Sequence, residues 1–338
     1  MMMAMDLRTV PKVELHSHLD CCLSFGAAAT IAPSLTRARY DADFVAPARC
    51  ASLAEYLPYT RNYRALLQTE AALRVAVGDV FAQMAAENVV YAELRFAPLA
   101  QTEGGLAPEQ VVEAVADETA RQIAATGIEA SLILCTLRHF SPAASLATAE
   151  LVGRYAGSSA VAALDIAGDE AGAPLAPHLP AFDHVRGLGL PITVHAGEAA
   201  GPASVREALD RTGTRRLGHG VRSVEDPALV GRLRDEGIHL EVCPASNYQT
   251  NVVDSPDDHP VDRLYRAGVA LGLSTDTRAV TDVTLTDEYA GVVDRFGWTL
   301  DDLRATNQAA LAAAFAAEDV RARVATRLAE GFDAAASG

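Results

Sequence analysis

Eight short apolar runs, separated by Ala-rich stretches of helical character, constrain the fold of this chain more than any other feature. Strands are predicted at 13–15, 89–95, 129–135, 161–165, 191–195, 216–219, 239–242 and 270–274. Several are almost continuously hydrophobic, as expected of parallel strands covered on both faces. Between them, helices are predicted at 108–125, 204–211 and 226–236, the last with Pro227 at its first position. Eight strands alternating with helices predict an α/β fold, a (β/α)8 TIM barrel, with a doubly wound sheet as the alternative. Polar residues decide for the barrel. His16 and His18, Arg95, Arg138, Asp165, His195, His219, Ser246 with Asn247, and Asp276 stand where strand C-termini would converge on one mouth.

The step from the first strand to the second is much longer than the others. Its excess, about 25–69 and extending to 87 with the helix that returns to the barrel, predicts a helical insertion after strand 1 that covers the mouth as a lid. A surface decoration is the competing reading. Residues 299–338 predict extra C-terminal helices, 300–317 and 320–335, packed outside the barrel. Without an internal repeat or a low-complexity linker, residues 1–338 are expected to form a single domain.

A net charge of −16 opposes binding to nucleic acid or to anionic membrane, and a small neutral or weakly cationic substrate is expected instead. The five cysteines are odd in number, scattered and without a CxxC pair, which fits reduced thiols in a cytoplasmic protein. The start, MMMAMDLRTV, carries an acid and an Arg before any long apolar run, and so does not read as a signal peptide. No stretch has the length of a transmembrane span. Nothing in the sequence marks an interface, so monomer and homo-oligomer both stay open.

Four motifs at strand ends carry the chemistry: HSHLD (His16, His18), HAGE (His195, Glu198), GHG (His219) and STDT (Asp276). Side chains two apart on an extended strand share a face, so His16 and His18 can reach one ion. With His195 and Asp276 they supply three imidazoles and one carboxylate, a zinc-type set that leaves a position for water. Glu198, three residues past His195, suits a proton-shuttling acid. His219 either accepts a proton from the water, holds the hydroxide, or is structural. The one lysine, Lys12, precedes the first strand, and Asp165 ends the fourth. A lysine-bridged pair of metals is therefore excluded and a single ion favoured.

PKVELHSHLD, YAELRFAP, ALDIAGDE, ITVHAGE, LGHGV, CPASN and STDT follow the order and spacing of one known family, from about Pro11 to Tyr289. The sequence resembles the adenosine deaminase family of the amidohydrolase superfamily, the metallo-dependent hydrolases. The resemblance implies a barrel with one Zn2+ per chain and hydrolytic deamination of a 6-aminopurine, the reaction of purine nucleoside metabolism. It implies His16, His18, His195 and Asp276 as metal ligands and Glu198 as the acid at purine N1. His219 and Asp276 would handle the attacking water. Asp20, with His18 beside it, would contact the ribose, and the Gly168 N–H would donate to purine N3. Deaminases of single-stranded nucleic acid use a Cys-rich ligand set absent here, which points to a free nucleoside.

Two positions depart from the family pattern. Thr277 stands where an acid or amide commonly bonds purine N7, and Cys21 replaces the glycine after HLD. Adenosine and 2′-deoxyadenosine are the expected substrates. A 5′-modified adenosine, aminodeoxyfutalosine or adenine is the alternative, with Arg95 or Arg138 as contacts to a substituent or as partners of acids across the barrel.

Overall fold

The computed structural model describes residues 6–337. Its eight strands are β1 (Lys12–His18), β2 (Val89–Phe96), β3 (Glu129–Leu137), β4 (Val161–Ala167), β5 (Val194–Ala196), β6 (Arg216–His219), β7 (His239–Val242) and β8 (Ala270–Leu273). All pair in parallel and in chain order, as one ladder from β1 to β4 and a second from β5 to β8. Two bridges join the ladders into a closed ring. Leu164 pairs with Ile192 between β4 and β5, and Ser17 pairs with Asp276 between β1 and the residues after β8. At the second seam the His18 N–H donates to Asp276 O at 2.7 Å and the Asp276 N–H to His16 O at 2.9 Å. The fold is the (β/α)8 barrel.

β1 is longer than the predicted strand, so His16 and His18 lie within it and not beyond it. β5 is shorter: Pro191 has no N–H to give, and only Ile192 bridges back before the ladder to β6 begins. The helices between strands start where sequence chemistry places them. Asp226 accepts from the N–H groups of Ala228 and Leu229 and caps Pro227–Glu236. Thr69 caps Glu70–Ala86 in the same way. The interval between β1 and β2 holds a short 3-10 turn, Leu19–Cys21, and four α-helices: Phe25–Ile31, Arg37–Asp43, Leu53–Leu66 and Glu70–Ala86.

The first C-terminal helix ends earlier than expected. Helix Leu300–Ala313 stops short of 317, and the turn that follows reaches under the barrel floor. There Ala313 O accepts from Arg216 at 3.0 Å, the Phe315 N–H donates to Glu93 at 2.6 Å, and the Arg216 guanidinium lies 3.7 Å from the Phe315 ring centre. Buried charged groups need such partners, and here they fix where the helix ends.

Candidate active site

Glutamates and arginines interrupt the apolar strands at inward-facing positions, and they build a charged network up the barrel axis. Arg216 pairs with Glu93 at 2.5 Å and Glu241 at 2.7 Å, and Arg95 pairs with Glu241 at 2.6 Å and Asp165 at 2.7 Å. The top of this network orients two imidazoles. Glu241 accepts from His16 Nδ1 at 2.8 Å, and Asp165 lies 2.9 Å from His195 Nδ1. Each carboxylate fixes its ring so that Nε2 points to the mouth.

Those nitrogens meet other donors there. His16 Nε2 is 3.4 Å from Asp276 Oδ1, and His18 Nε2 is 3.3 Å from the same oxygen and 3.2 Å from His195 Nε2. Ser246 holds the other Asp276 oxygen at 2.6 Å. His219 belongs to the cluster too, with one donor atom each of His16, His195, His219 and Asp276 within 4.8 Å of one another. His219 Nε2, however, faces Glu198 at 3.7 Å, and its Nδ1 is taken by Asn247 at 3.1 Å. His18 is not one of those four, and it adjoins them through its contacts with His195 Nε2 and Asp276 Oδ1.

Three observations fit a bound cation. Ligands about 2.0–2.1 Å from one tetrahedral ion stand roughly 3.3 Å from each other, which is the spacing seen here. His16 Nε2 is buried without a hydrogen-bond partner. Glu93, Glu241, Asp165 and Asp276 carry more negative charge than Arg95 and Arg216 offset, and a divalent ion would balance the difference. Burial drives the pKa of His18 and His219 well below the ordinary value and lowers that of His195, keeping them neutral. Burial opposes charge on His16 as well, but Asp276 and Glu241 outweigh it, so a positive charge is favoured at that nitrogen.

Backbone and packing hold the cluster in a particular form. Asp276 and His219 both adopt left-handed dihedrals, φ 63° and 61°, which non-glycine residues rarely accept outside constrained sites. Gly218 lets the rings pack: a Cβ there would lie 2.9 Å from His16 Cε1 and 3.2 Å from His195 Nδ1.

Glu198 follows β5 on a loop fastened by Glu170, which accepts from the N–H groups of Gly197 at 2.6 Å, Glu198 at 3.0 Å and Ala200 at 2.9 Å. Burial first, then the charges of Asp276 and Glu170, push the Glu198 carboxyl well above the usual carboxylate range. Asp20, also raised by burial, lines the same pocket with Cys21 and Gly168 (φ 104°). Helix Leu53–Leu66 lines the pocket with Leu53, Tyr56, Leu57, Thr60, Arg61 and Arg64. Thr277 lines the pocket, and its hydroxyl is hydrogen-bonded to Tyr56.

The structure thus gathers His18, Asp20, Gly168, His195, Glu198, His219, Asp276 and Thr277 around one cavity, with His16 buried behind them against His195, His219 and Asp276. It removes Arg95 and Arg138 from the mouth. Arg95 is fully buried beneath the histidines, and Arg138 donates to the carbonyls of Ala173 at 2.9 Å and His195 at 3.0 Å. Glu241, Glu170, Tyr56 and the lid arginines escaped the sequence reading. Glu241 left a signal nonetheless: a carboxylate inside the buried run His239–Val242 must face a partner.

A family model described as adenosine deaminase matches residues 11–331. Adenosine deaminase 1 of Streptomyces coelicolor is 37% identical, over 93% of this chain and 85% of its own. Among solved structures, an adenine deaminase from Arthrobacter aurescens superposes with a TM-score of 0.86 at 25% identity, covering 95% of this chain and 98% of its own. An Arabidopsis N6-mAMP deaminase gives a TM-score of 0.86 at 25% identity, covering 96% and 99%. With a whole-chain family match and a barrel mouth of this composition, the chain belongs to the adenosine deaminase family and is a hydrolytic deaminase.

Proposed function

We propose that the protein converts adenosine or 2′-deoxyadenosine to inosine or 2′-deoxyinosine and ammonia, using one zinc ion. The observation that carries this reading is a buried Glu198, its carboxyl pushed by burial toward the protonated form, beside a cluster of buried histidines and Asp276. His16, His18, His195 and Asp276 would hold the ion. When bound, zinc supplies a water whose pKa is brought near 7.

The chain's own groups account for the rest. C6 of a purine resists attack until the ring is made electrophilic. Glu198, kept protonated by burial, donates to N1 and does so. The Gly168 N–H meets N3, and Asp20 with His18 receives the ribose hydroxyl. His219 and Asp276 flank the attacking oxygen, and proton return to the departing nitrogen releases ammonia. Acid–base help of this kind contributes about 10²–10⁴ in rate. Helix Leu53–Leu66 serves as the lid that keeps bulk water out while N1 is protonated.

A second reading has one specific observation behind it. Arg61 and Arg64 line the mouth, and neither has a carboxylate within ion-pair distance among the described residues. That favours a 6-aminopurine with an anionic or extended 5′ substituent, aminodeoxyfutalosine being one such 5′-modified adenosine. The Arabidopsis neighbour's nucleotide substrate is of the same charge type. Steady-state kinetics on adenosine, 2′-deoxyadenosine, adenine, AMP and a 5′-carboxylated adenosine, with metal analysis, tests both. Highest kcat/KM on the two nucleosides with one zinc per chain is expected. Negligible turnover of them beside rapid turnover of an anionic analogue would replace the first reading with the second.

A further inference from the structure

We propose that Asn247 and His259, outside the pocket, are positioning residues that fix which ring nitrogen of His219 carries the proton. The three side chains form a buried chain of hydrogen bonds whose direction is set at its far end. The Val261 N–H donates to His259 Nδ1 at 3.1 Å. A backbone amide is only a donor, so that nitrogen bears no proton. Burial, helped by nearby Arg263, lowers the His259 pKa to about 3, and the neutral ring therefore has its proton on Nε2.

His259 Nε2 lies 3.2 Å from Asn247 Oδ1, which accepts. The Asn247 amide group is then turned toward His219 Nδ1 at 3.1 Å and donates to it. The opposite amide orientation would ask His259 to accept at both nitrogens, which a neutral imidazole cannot do. His219 Nδ1 is thereby an acceptor, and Nε2–H is what His219 shows to the site.

Two consequences follow for the reaction. An N–H 3.7 Å from Glu198 can hold an oxygen that gains negative charge, so His219 enters as a donor and not as a base. The other tautomer would present a lone pair close to His16, His195 and Asp276, where it would compete as a ligand. The relay keeps His219 out of the ligand set. Its kinetic half rests on the deamination reading; the tautomer itself does not.

The test is the imidazole 15N spectrum of the full-length protein, metal-free and zinc-loaded, with ammonia release from adenosine alongside. Wild type is expected to show His219 protonated at Nε2 in both forms. Asn247→Asp accepts from both rings and should invert the tautomer, with kcat down about 10²-fold and KM little changed. His259→Leu should leave His219 in mixed tautomers with reduced kcat. His259→Gln, whose amide nitrogen can replace Nε2, should restore both. Wild-type His219 protonated at Nδ1 would overturn the proposal even if no variant folds. So would an inverted tautomer in Asn247→Asp with unchanged kcat. No adenosine turnover in wild type with the expected spectrum would instead reject adenosine as the substrate and leave the tautomer assignment standing.

Discussion

In the proposed reaction Glu198 has to be an acid at a pH where carboxyl groups are ordinarily ionised, and its surroundings favour this by burial and by like charge. A carboxyl whose pKa is raised keeps its proton to higher pH than usual and loses it as pH climbs through the raised value. Activity that needs the acid form therefore falls on the alkaline side, and kcat/KM against pH should show that limb. Glu198→Gln should retain zinc, lose about 10²-fold or more in rate and lose the limb; unchanged turnover would remove the acid role. Gly218 makes a second residue-scale demand. Gly218→Ala forces a methyl within 2.9 Å of His16, so about 1–3 kcal/mol of stability and a share of metal affinity should go, measured by chemical denaturation and chelator competition. Full zinc retention with unchanged stability would mean the rings pack with slack.

At the scale of elements, each strand end is held in place by its neighbours. β5 supplies His195, but Asp165 of β4 aims it; β1 supplies His16, but Glu241 of β7 aims it. Asp165→Asn keeps the shape while weakening the hold on His195, and should lower zinc affinity about 10–100-fold in chelator competition. An unaltered affinity would show that the ring is set by packing alone. This division also explains what could be read from the chain beforehand. Strand positions and the four motifs were legible, because burial on both faces writes continuous apolar runs and because HSHLD or HAGE is local in sequence. The supports were not: Glu241 lies 225 residues from His16 and Glu170 lies 27 from Gly197, so only the closed ring brings them together. Arg95 misled for the same reason. Its position at a strand end pointed to the mouth, whereas the network below claimed it. The end of helix Leu300–Ala313 was hidden likewise, since alanines continue to 317 and only the barrel floor stops it.

For the molecule as a whole, a barrel this rich in buried titratable groups ties its stability to pH. His239 is fully buried under β8 and helix Leu300–Ala313, with neither ring nitrogen hydrogen-bonded, and burial followed by Arg216 lowers its pKa to about 3. His259 is lowered to about 3 as well. In the unfolded chain each takes a proton near pH 6.5, while the native state refuses it down to about 3. The unfolded state thus binds more protons across that window, and stability falls as pH drops through it. At about 1.4 kcal/mol per pH unit, each group withdraws roughly 2 kcal/mol by pH 5. Glu288 acts the other way: burial raises it to about 8, so its share is lost as pH rises from 4.5 toward 8. The wild-type curve mixes the two, and a single substitution separates them. His239→Leu removes a polar ring without partners, so unfolding free energy at pH 7.5 should stay level or rise. The difference in unfolding free energy between pH 7.5 and pH 5 should shift by about 2 kcal/mol in favour of the variant at pH 5. If denaturant titrations at the two pH values give the variant the same difference as wild type, His239 is protonated in the native barrel and the acid sensitivity lies elsewhere.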